Sequence, residues 1–329
     1  MSNSPFLSNC TADTIRDAAV ALKAGHLVAF PTETVYGLGA DARNADAVKR
    51  IYQAKGRPAD HPLIVHISSI NHVAKWAAEV PDYAIALARK FWPGPMTLIF
   101  KRSEIAQDFI TGGQETVGLR IPSDPLALAL IAEFEKISDS AIAAPSANRF
   151  GHVSPTTAQA VVTELGDYLA ADDHILDGGA CTVGVESTII DCTRKNPRIL
   201  RPGAITEEMI ADTTGLEISS GNNGHDNSEG SEIRVSGSLE SHYSPLATVL
   251  LDQSPIAGQG FIAFAGIPTP EGVIRLASPK NIEEFAHVLY SSLRAADEKG
   301  LLEVVIAQPQ GNGMAIAVRD RLIRASNRR

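Results

Sequence analysis

The stretch Ala141-Ile142-Ala143-Ala144-Pro145-Ser146-Ala147-Asn148 decides how this chain is expected to fold. Its apolar run reads as a short buried strand, ended by the proline. A serine hydroxyl and an asparagine amide follow directly. Two polar groups therefore stand at a strand's carboxyl end, where open α/β sheets bind ligands. Far upstream, Lys55-Gly56-Arg57-Pro58 sits in a polar turn after a helical pattern. Arginine supplies a planar fork for phosphate oxygens and lysine a mobile point charge. Lys55, Arg57, Ser146 and Asn148 together suit a polyanionic ligand and are the candidate catalytic residues. K-x-R and S-x-N triplets recur by chance in any long chain, so their weight comes from what surrounds them.

Outward from these stretches, residues 11–24 read as a helix stopped by Gly25. A helix capped by Asn44 runs to about residue 54. Further helices are expected near 70–79, 82–91, 125–134 and 156–165. Strands are expected at 27–30, 63–67, 97–100, 117–121, 141–144, 175–177, 188–192 and 199–200. Strands mix with helices without strict βαβ alternation. The fold class is therefore α/β in the α+β sense, a domain around a twisted mixed sheet. From residue 202 to 233 there is no Lys or Arg, while seven carboxylates occur there; Ser219-Ser220-Gly221-Asn222-Asn223-Gly224 lies among them. Such a composition buries little apolar surface and predicts a flexible acidic linker. The expected organisation is residues 1–205, a linker at 206–245, and a small open-sheet, Rossmann-like α/β domain at 246–329. In that last part, strands fall at 247–251, 261–264 and 303–307, with helices at 281–296 and 314–325.

Composition narrows the function classes. The chain has 329 residues, 44% of them hydrophobic and 20% charged, enough for two domains with a sizeable core. A net charge of −9 argues against broad electrostatic capture of nucleic acid. Three cysteines, Cys10, Cys181 and Cys192, lack zinc or disulfide spacing, so no metal site is expected and cytosolic, reduced thiols fit. The first residues show no signal peptide, and no run is long enough to span a membrane.

Several single residues carry two readings. Gly37-Leu38-Gly39-Ala40-Asp41-Ala42 matches G-x-G-x-x-A, but the preceding strand ends too early and the next helix starts too late for a dinucleotide fingerprint. A tight glycine turn beside a ligand fits better. No phosphate-binding P-loop is present. Thr32, Glu33 and Thr34 form either a plain polar loop or a small pocket at a strand end. His66 is either a satisfied core histidine or a ligand contact. Arg120 stands in an apolar strand, where an unpartnered cation is very costly. It meets either an internal carboxylate or an anionic ligand.

Ordered motifs join these pieces. They are Pro31-Thr32-Glu33-Thr34-Val35-Tyr36-Gly37-Leu38-Gly39, Pro62-Leu63-Ile64-Val65-His66, Trp92-Pro93-Gly94-Pro95-Met96-Thr97, Thr116-Val117-Gly118-Leu119-Arg120-Ile121-Pro122, Glu186-Ser187-Thr188-Ile189-Ile190-Asp191 and Leu200-Arg201-Pro202-Gly203. With the Ser146 stretch and Ser241-His242-Tyr243-Ser244-Pro245, they resemble the YrdC-like family in its longer, two-domain form. The resemblance is dense over residues 12–205 and thinner beyond. It implies that L-threonine, bicarbonate and ATP, the last with Mg²⁺, are joined to threonylcarbamoyl-AMP with release of pyrophosphate. A nucleotidyltransferase of this kind serves threonylcarbamoyladenosine formation in tRNA, through a cytoplasmic partner transferase. The resemblance implies threonine contacts at Thr34, His66, Arg120, Ala144 and Ser187. It implies ATP contacts at Arg57, His61, Thr116, Ser146, Ser154, Arg201 and Tyr243. His61 stands where the family usually has asparagine, and imidazole also donates to phosphate oxygens. Two alternatives are open. One is a non-catalytic RNA-binding module, double-stranded RNA included, with Lys49, Arg50, Lys55 and Arg57 on the phosphates. The other is carbamoyl transfer from carbamoyl phosphate.

Overall fold

A computed structural model describes residues 7–9, 11–220, 233–237 and 243–327. Cys10 and residues 221–232 and 238–242 of the expected linker fall outside the described residues. The first sheet is built from β1 (Leu7–Asn9), β2 (Val28–Phe30), β3 (Gly37–Asp41), β4 (Ile64–His66), β5 (Met96–Lys101), β6 (Thr116–Arg120), β7 (Ile142–Ala144), β8 (His174–Asp177), β9 (Thr188–Asp191), β10 (Arg198–Arg201) and β11 (Ser219–Ser220). Their spatial order is β1-β8-β2-β3-β7-β4-β6-β5-β9-β10-β11, with parallel and antiparallel neighbours mixed. The chain's helices are α1 (Ala12–Lys23), α2 (Ala45–Lys55), α3 (Val73–Trp76), α4 (Asp82–Phe91), α5 (Asp108–Thr111), α6 (Pro125–Ile137), α7 (Ala158–Leu165), α8 (Glu207–Thr214), α9 (Ile282–Glu298) and α10 (Met314–Ser326). Thr11 and Asn44 cap α1 and α2 through their side chains, Asn44 as the sequence predicts. The expected helix near 70–79 is shorter, a single 3₁₀ turn followed by α3.

Two expectations are corrected here. Gly37–Asp41 is no turn: it is the internal strand β3, paired with β2 and β7. Gly39 is needed there for clearance. A Cβ on Gly39 would lie 2.7 Å from Ile142 Cγ2 and 2.9 Å from Phe30 Cε1. The Phe30 ring takes the volume that side chains on β3 would fill. In addition, the first part of the expected linker is folded. Thr206 caps α8, Ile210 of that helix is buried, and β11 pairs with β10. Acidic composition did not prevent a capped helix with one buried anchor.

The core lies on both faces of this sheet. One face carries Tyr36, Leu38, Val65, Leu119 and Ala143 beneath Val48, Ile51 and Leu87 of α2 and α4. The other carries Val28, Phe30, Ile142 and Ala144 beneath Ala18, Leu22, Leu130 and Phe134 of α1 and α6. Beyond β7, α1 and α6 no longer cover this second face.

The remaining strands are β12 (Thr248–Leu251), β13 (Gly260–Ile262), β14 (Ile274–Ala277) and β15 (Glu303–Ile306). They form an all-parallel sheet in the order β12-β15-β13-β14, with α9 and α10 packed on it. This is the small Rossmann-like α/β unit the sequence predicts. It shares one apolar core with the first unit: Val35, Val153 and Val185 pack with Tyr243, Phe285 and Tyr290.

Candidate functional site

Strand register builds the centre of the site. Ile64 pairs with Ala144, and His66 pairs with both Arg120 and Ile142. Directly opposed residues share a face, so Ile64, His66, Arg120 and Ala144 all point to the uncovered side of the sheet. The sequence reading put the site beyond a strand's carboxyl end. In a mixed sheet no single edge collects the strand ends, and the cleft instead crosses the face over β7, β4 and β6. Its walls bound about 530 Å³ of space, open solvent included. Thr32, Arg57, Ser146, Ser187, Arg201 and Tyr243 complete most of its wall.

Of its two readings, Arg120 meets the internal carboxylate. Its Nη2 donates to Glu33 Oε1 at 2.6 Å and to Thr34 Oγ1 at 2.9 Å. Glu33 also accepts from the Ser123 amide at 3.0 Å, which fixes the carboxylate. Yet Arg120 Nε is buried without a partner. The guanidinium is held by an internal ion pair while one donor edge stays unused. Thr32 and Thr34 bond each other through their hydroxyls at 2.8 Å. The loop after β2 is therefore a built pocket wall. His66 is buried, and its ring meets Phe30 edge-on. Burial, with Arg120 close by, pushes its pKa down to about 3, so the imidazole is neutral at ordinary pH.

At the other end, Gly56 adopts a left-handed conformation (φ 61°) that ends α2 and turns the chain toward Arg57. Arg57 is buried; its Nη2 donates to Pro62 O and Ser236 Oγ, both at 3.0 Å, and its Nε has no partner. Burial lowers its pKa to about 10, which leaves it cationic at neutral pH. Arg201 donates from Nε to Ser187 O (3.1 Å), from Nη2 to Ser187 Oγ (3.1 Å), and from Nη1 to Ser236 O (2.8 Å). Ser187 also bonds Thr97. Ser236 thus occupies the outward donors of both arginines, and Gly237 and Tyr243 stand beside it in the wall.

Lys55 is not where the sequence reading placed it. It closes α2, is buried, and its Nζ donates to the carbonyl oxygens of Ser146 (2.6 Å) and Asn148. Burial, with Arg57 nearby, lowers its pKa well below the usual range. It shapes the Ser146–Asn148 turn and does not line the cleft. Asn148 lies below the surface, its amide donating to Arg149 O and His152 O and its Oδ1 unpartnered. Ser154 faces Glu186 (2.6 Å) behind the wall. His61 is half-buried, edge-on to Phe150 at 5.2 Å, and Arg57 stacks over the same ring. Thr116 shares the face of Arg120 four residues back on β6, roughly 13 Å along the strand. None of these last three lines the cleft. Glu186, Ser236 and the role of Glu33 escaped the sequence reading. Glu186 was legible only as part of a motif, and Ser236 lies within the expected linker.

The cations invoked for RNA binding are engaged internally. Arg50 pairs with buried Asp173 at 2.7 Å and donates to Gly25 O; Lys55 and Arg57 are buried. Lys49 alone of the four is exposed.

Two family descriptions match the chain. The Sua5/YciO/YrdC family, described as "Telomere recombination", matches residues 20–203, and "Threonylcarbamoyl-AMP synthase, C-terminal domain" matches residues 205–327. The chain is 40% identical to the threonylcarbamoyl-AMP synthase of Pyrococcus abyssi, over 96% of this chain and 94% of that protein. Identity to the threonylcarbamoyl-AMP synthase of Bacillus subtilis is 38%, over 96% and 93%. The crystal structure of P. abyssi Sua5 complexed with L-threonine superposes with a TM-score of 0.85 at 37% identity, covering 98% of this chain and 96% of that one.

Proposed function

This chain belongs to the Sua5/YciO/YrdC family, and we propose that it condenses L-threonine, bicarbonate and ATP into threonylcarbamoyl-AMP, releasing pyrophosphate. The observation that carries this reading is the convergence of three buried arginines, Arg57, Arg120 and Arg201, on one cleft. Two of them keep a buried Nε without a partner. Buried cations with open donors call for anionic ligands. Arg120, beside Thr32, Thr34 and neutral His66, suits the carboxylate of threonine. Arg57 and Arg201, some distance away across the cleft, suit a nucleotide's phosphates, which replace the Ser236 oxygens.

In this mechanism the threonine amine and bicarbonate form a carbamate and water. A carbamate oxygen then attacks the α-phosphorus, and pyrophosphate leaves. The protein's part is alignment and charge neutralisation. Arg120 orients threonine, Arg57 and Arg201 balance the phosphates, and Ser146 donates at the junction of the two. Tyr243, buried in the cleft wall against Tyr290, keeps water out. The adenylate product is hydrolysis-prone, which makes that exclusion useful. A metal ion would come with the nucleotide. Among the described residues no three His, Cys, Asp or Glu side chains cluster to hold one, and the cleft is lined by cations. Mg²⁺ therefore fits as a ligand of the phosphates and not of the protein, where it would neutralise charge. The product passes to a transferase acting on tRNA in the cytoplasm. No helix among the described residues is long and apolar enough to cross a membrane.

Paired variants test the two-ended site. Arg120→Ala raises the KM for threonine far more than that for ATP, and Arg57→Ala does the reverse. Steady-state kinetics in each substrate separate the two, and equal shifts in both constants contradict the assignment.

A further inference from the structure

One buried cluster belongs to neither the cleft nor an ordinary domain boundary. Glu186 stands in the cleft wall but points away from it, into the second unit. Its Oε1 accepts from Ser154 at 2.6 Å. Its Oε2 accepts from Tyr290 of α9 at 2.8 Å and from Arg321 Nε of α10 at 2.9 Å. Arg321 is wholly buried; its Nη2 reaches Pro202 O at 3.0 Å and its Nη1 reaches Asp320. The same two side chains hold Tyr243. The Tyr290 ring stacks on it at 5.6 Å, and the Arg321 guanidinium lies 5.5 Å over it.

The grip is selective. Glu186 and Pro202 are the immediate neighbours of Ser187 and Arg201, which bond each other through two contacts. Arg321 therefore holds both sides of that pair, and with Tyr290 it holds the ring that closes the cleft. Glu33, Arg120 and His66, at the opposite end, touch neither residue. A plain interdomain ion pair has no need to join three separate wall segments, at residues 186, 202 and 243. Burying a carboxylate and a guanidinium here is costly unless each is fully bonded.

We propose that Tyr290 and Arg321 of the C-terminal unit are positioning residues for the nucleotide end of the active site, setting Arg201 and Tyr243 through Glu186. The inference rests on the functional reading above. It gives the second unit a part in the reaction: the first unit supplies every cleft-lining arginine, and the second fixes one of them and the closing tyrosine. A loosened clamp lets Arg201 and Tyr243 sample positions that do not meet phosphate. Coupling between linked groups of this kind typically changes affinity about 5–150-fold.

The test uses the full chain and two conservative variants. Tyr290→Phe removes one hydrogen bond and keeps the stacked ring; Arg321→Lys keeps charge but loses the fork. The expected result is a KM for ATP raised on the order of 10-fold, a KM for threonine changed far less, and a melting curve that stays cooperative. Glu186→Gln combined with Tyr290→Phe gives an ATP effect smaller than the product of the two single effects, because they break the same link. If Tyr290→Phe and Arg321→Lys leave ATP KM unchanged while wild type turns over, the proposal is overturned and the functional reading stands. The same holds if they raise both KM values equally, which marks a merely structural clamp. Should Arg321→Lys fail to fold, Tyr290→Phe alone decides. Wild type that neither binds ATP by calorimetry nor turns it over overturns both.

Discussion

Lys55 shows how far a residue type carries and where it stops. Lysine next to a glycine and an arginine reads as a solvated phosphate contact, and Arg57 does reach the cleft. Lys55 instead ends α2 with its ammonium on two backbone carbonyls. A sequence cannot distinguish a cation that meets a ligand from one that meets carbonyl groups of a distant turn, because both are buried donors seeking oxygen. Lys55→Met leaves those carbonyls without their partner. The expected cost is about 1–3 kcal/mol of unfolding free energy, with turnover falling because the turn carrying Ser146 loosens. Denaturant unfolding measures the first part. A variant as stable as wild type yet inactive would return Lys55 to direct ligand contact. Arg120 was legible in a stronger sense. An arginine inside an apolar strand must have a partner, and the two partners weighed, an internal carboxylate and an anionic ligand, are compatible in one side chain.

Among the elements, the long helices were the most legible; the structure caps them at Thr11, Asn44, Thr157 and Asn281, of which Asn44 was read as a cap. The strands around the cleft were placed within a residue or two. The strand most badly misjudged was β3, and the reason is physical. Gly37-Leu38-Gly39 lacks the β-branched residues that favour strands, and only the Ile142 and Phe30 side chains on neighbouring strands explain Gly39. That contact depends on pairing between strands, which no local pattern encodes. Gly39→Ala forces a methyl into space already filled by Ile142 and Phe30, at an expected cost of about 1–3 kcal/mol. A methyl on Gly266 would meet nothing within 4 Å, and the backbone there is not left-handed, so Gly266→Ala is the near-neutral control. Equal stability of the two variants, by thermal or denaturant unfolding, would contradict the packing account of β3. The acidic stretch after Pro202 misled in a related way, since Thr206 and Ile210 suffice to cap and anchor α8.

At the scale of the molecule, the two-unit organisation was legible from the change in composition, but the joint core was not. Val35, Val153 and Val185 meet the C-terminal unit across long sequence separations, and Glu186 likewise meets Tyr290 and Arg321 of that unit. The ordered motifs pointed to the family, and identity across 96% of the chain agrees. The cleft gathers Arg57, His66, Arg120, Ala144, Ser146, Ser187, Arg201 and Tyr243 from that reading. The others stand behind it or along β6. An open Nε on Arg57 and another on Arg120, in one cleft, make the central claim specific: the protein joins the carbamate of a small amino acid to a nucleotide. The most direct measurement follows pyrophosphate release from ATP, with chromatographic detection of the adenylate. Threonine plus bicarbonate is compared with serine plus bicarbonate, with threonine in bicarbonate-free buffer, and with no amino acid. The account predicts that pyrophosphate and threonylcarbamoyl-AMP appear together only when threonine and bicarbonate are both present, with serine much poorer. Pyrophosphate release that is indifferent to threonine, or none at all with every substrate supplied, would contradict it.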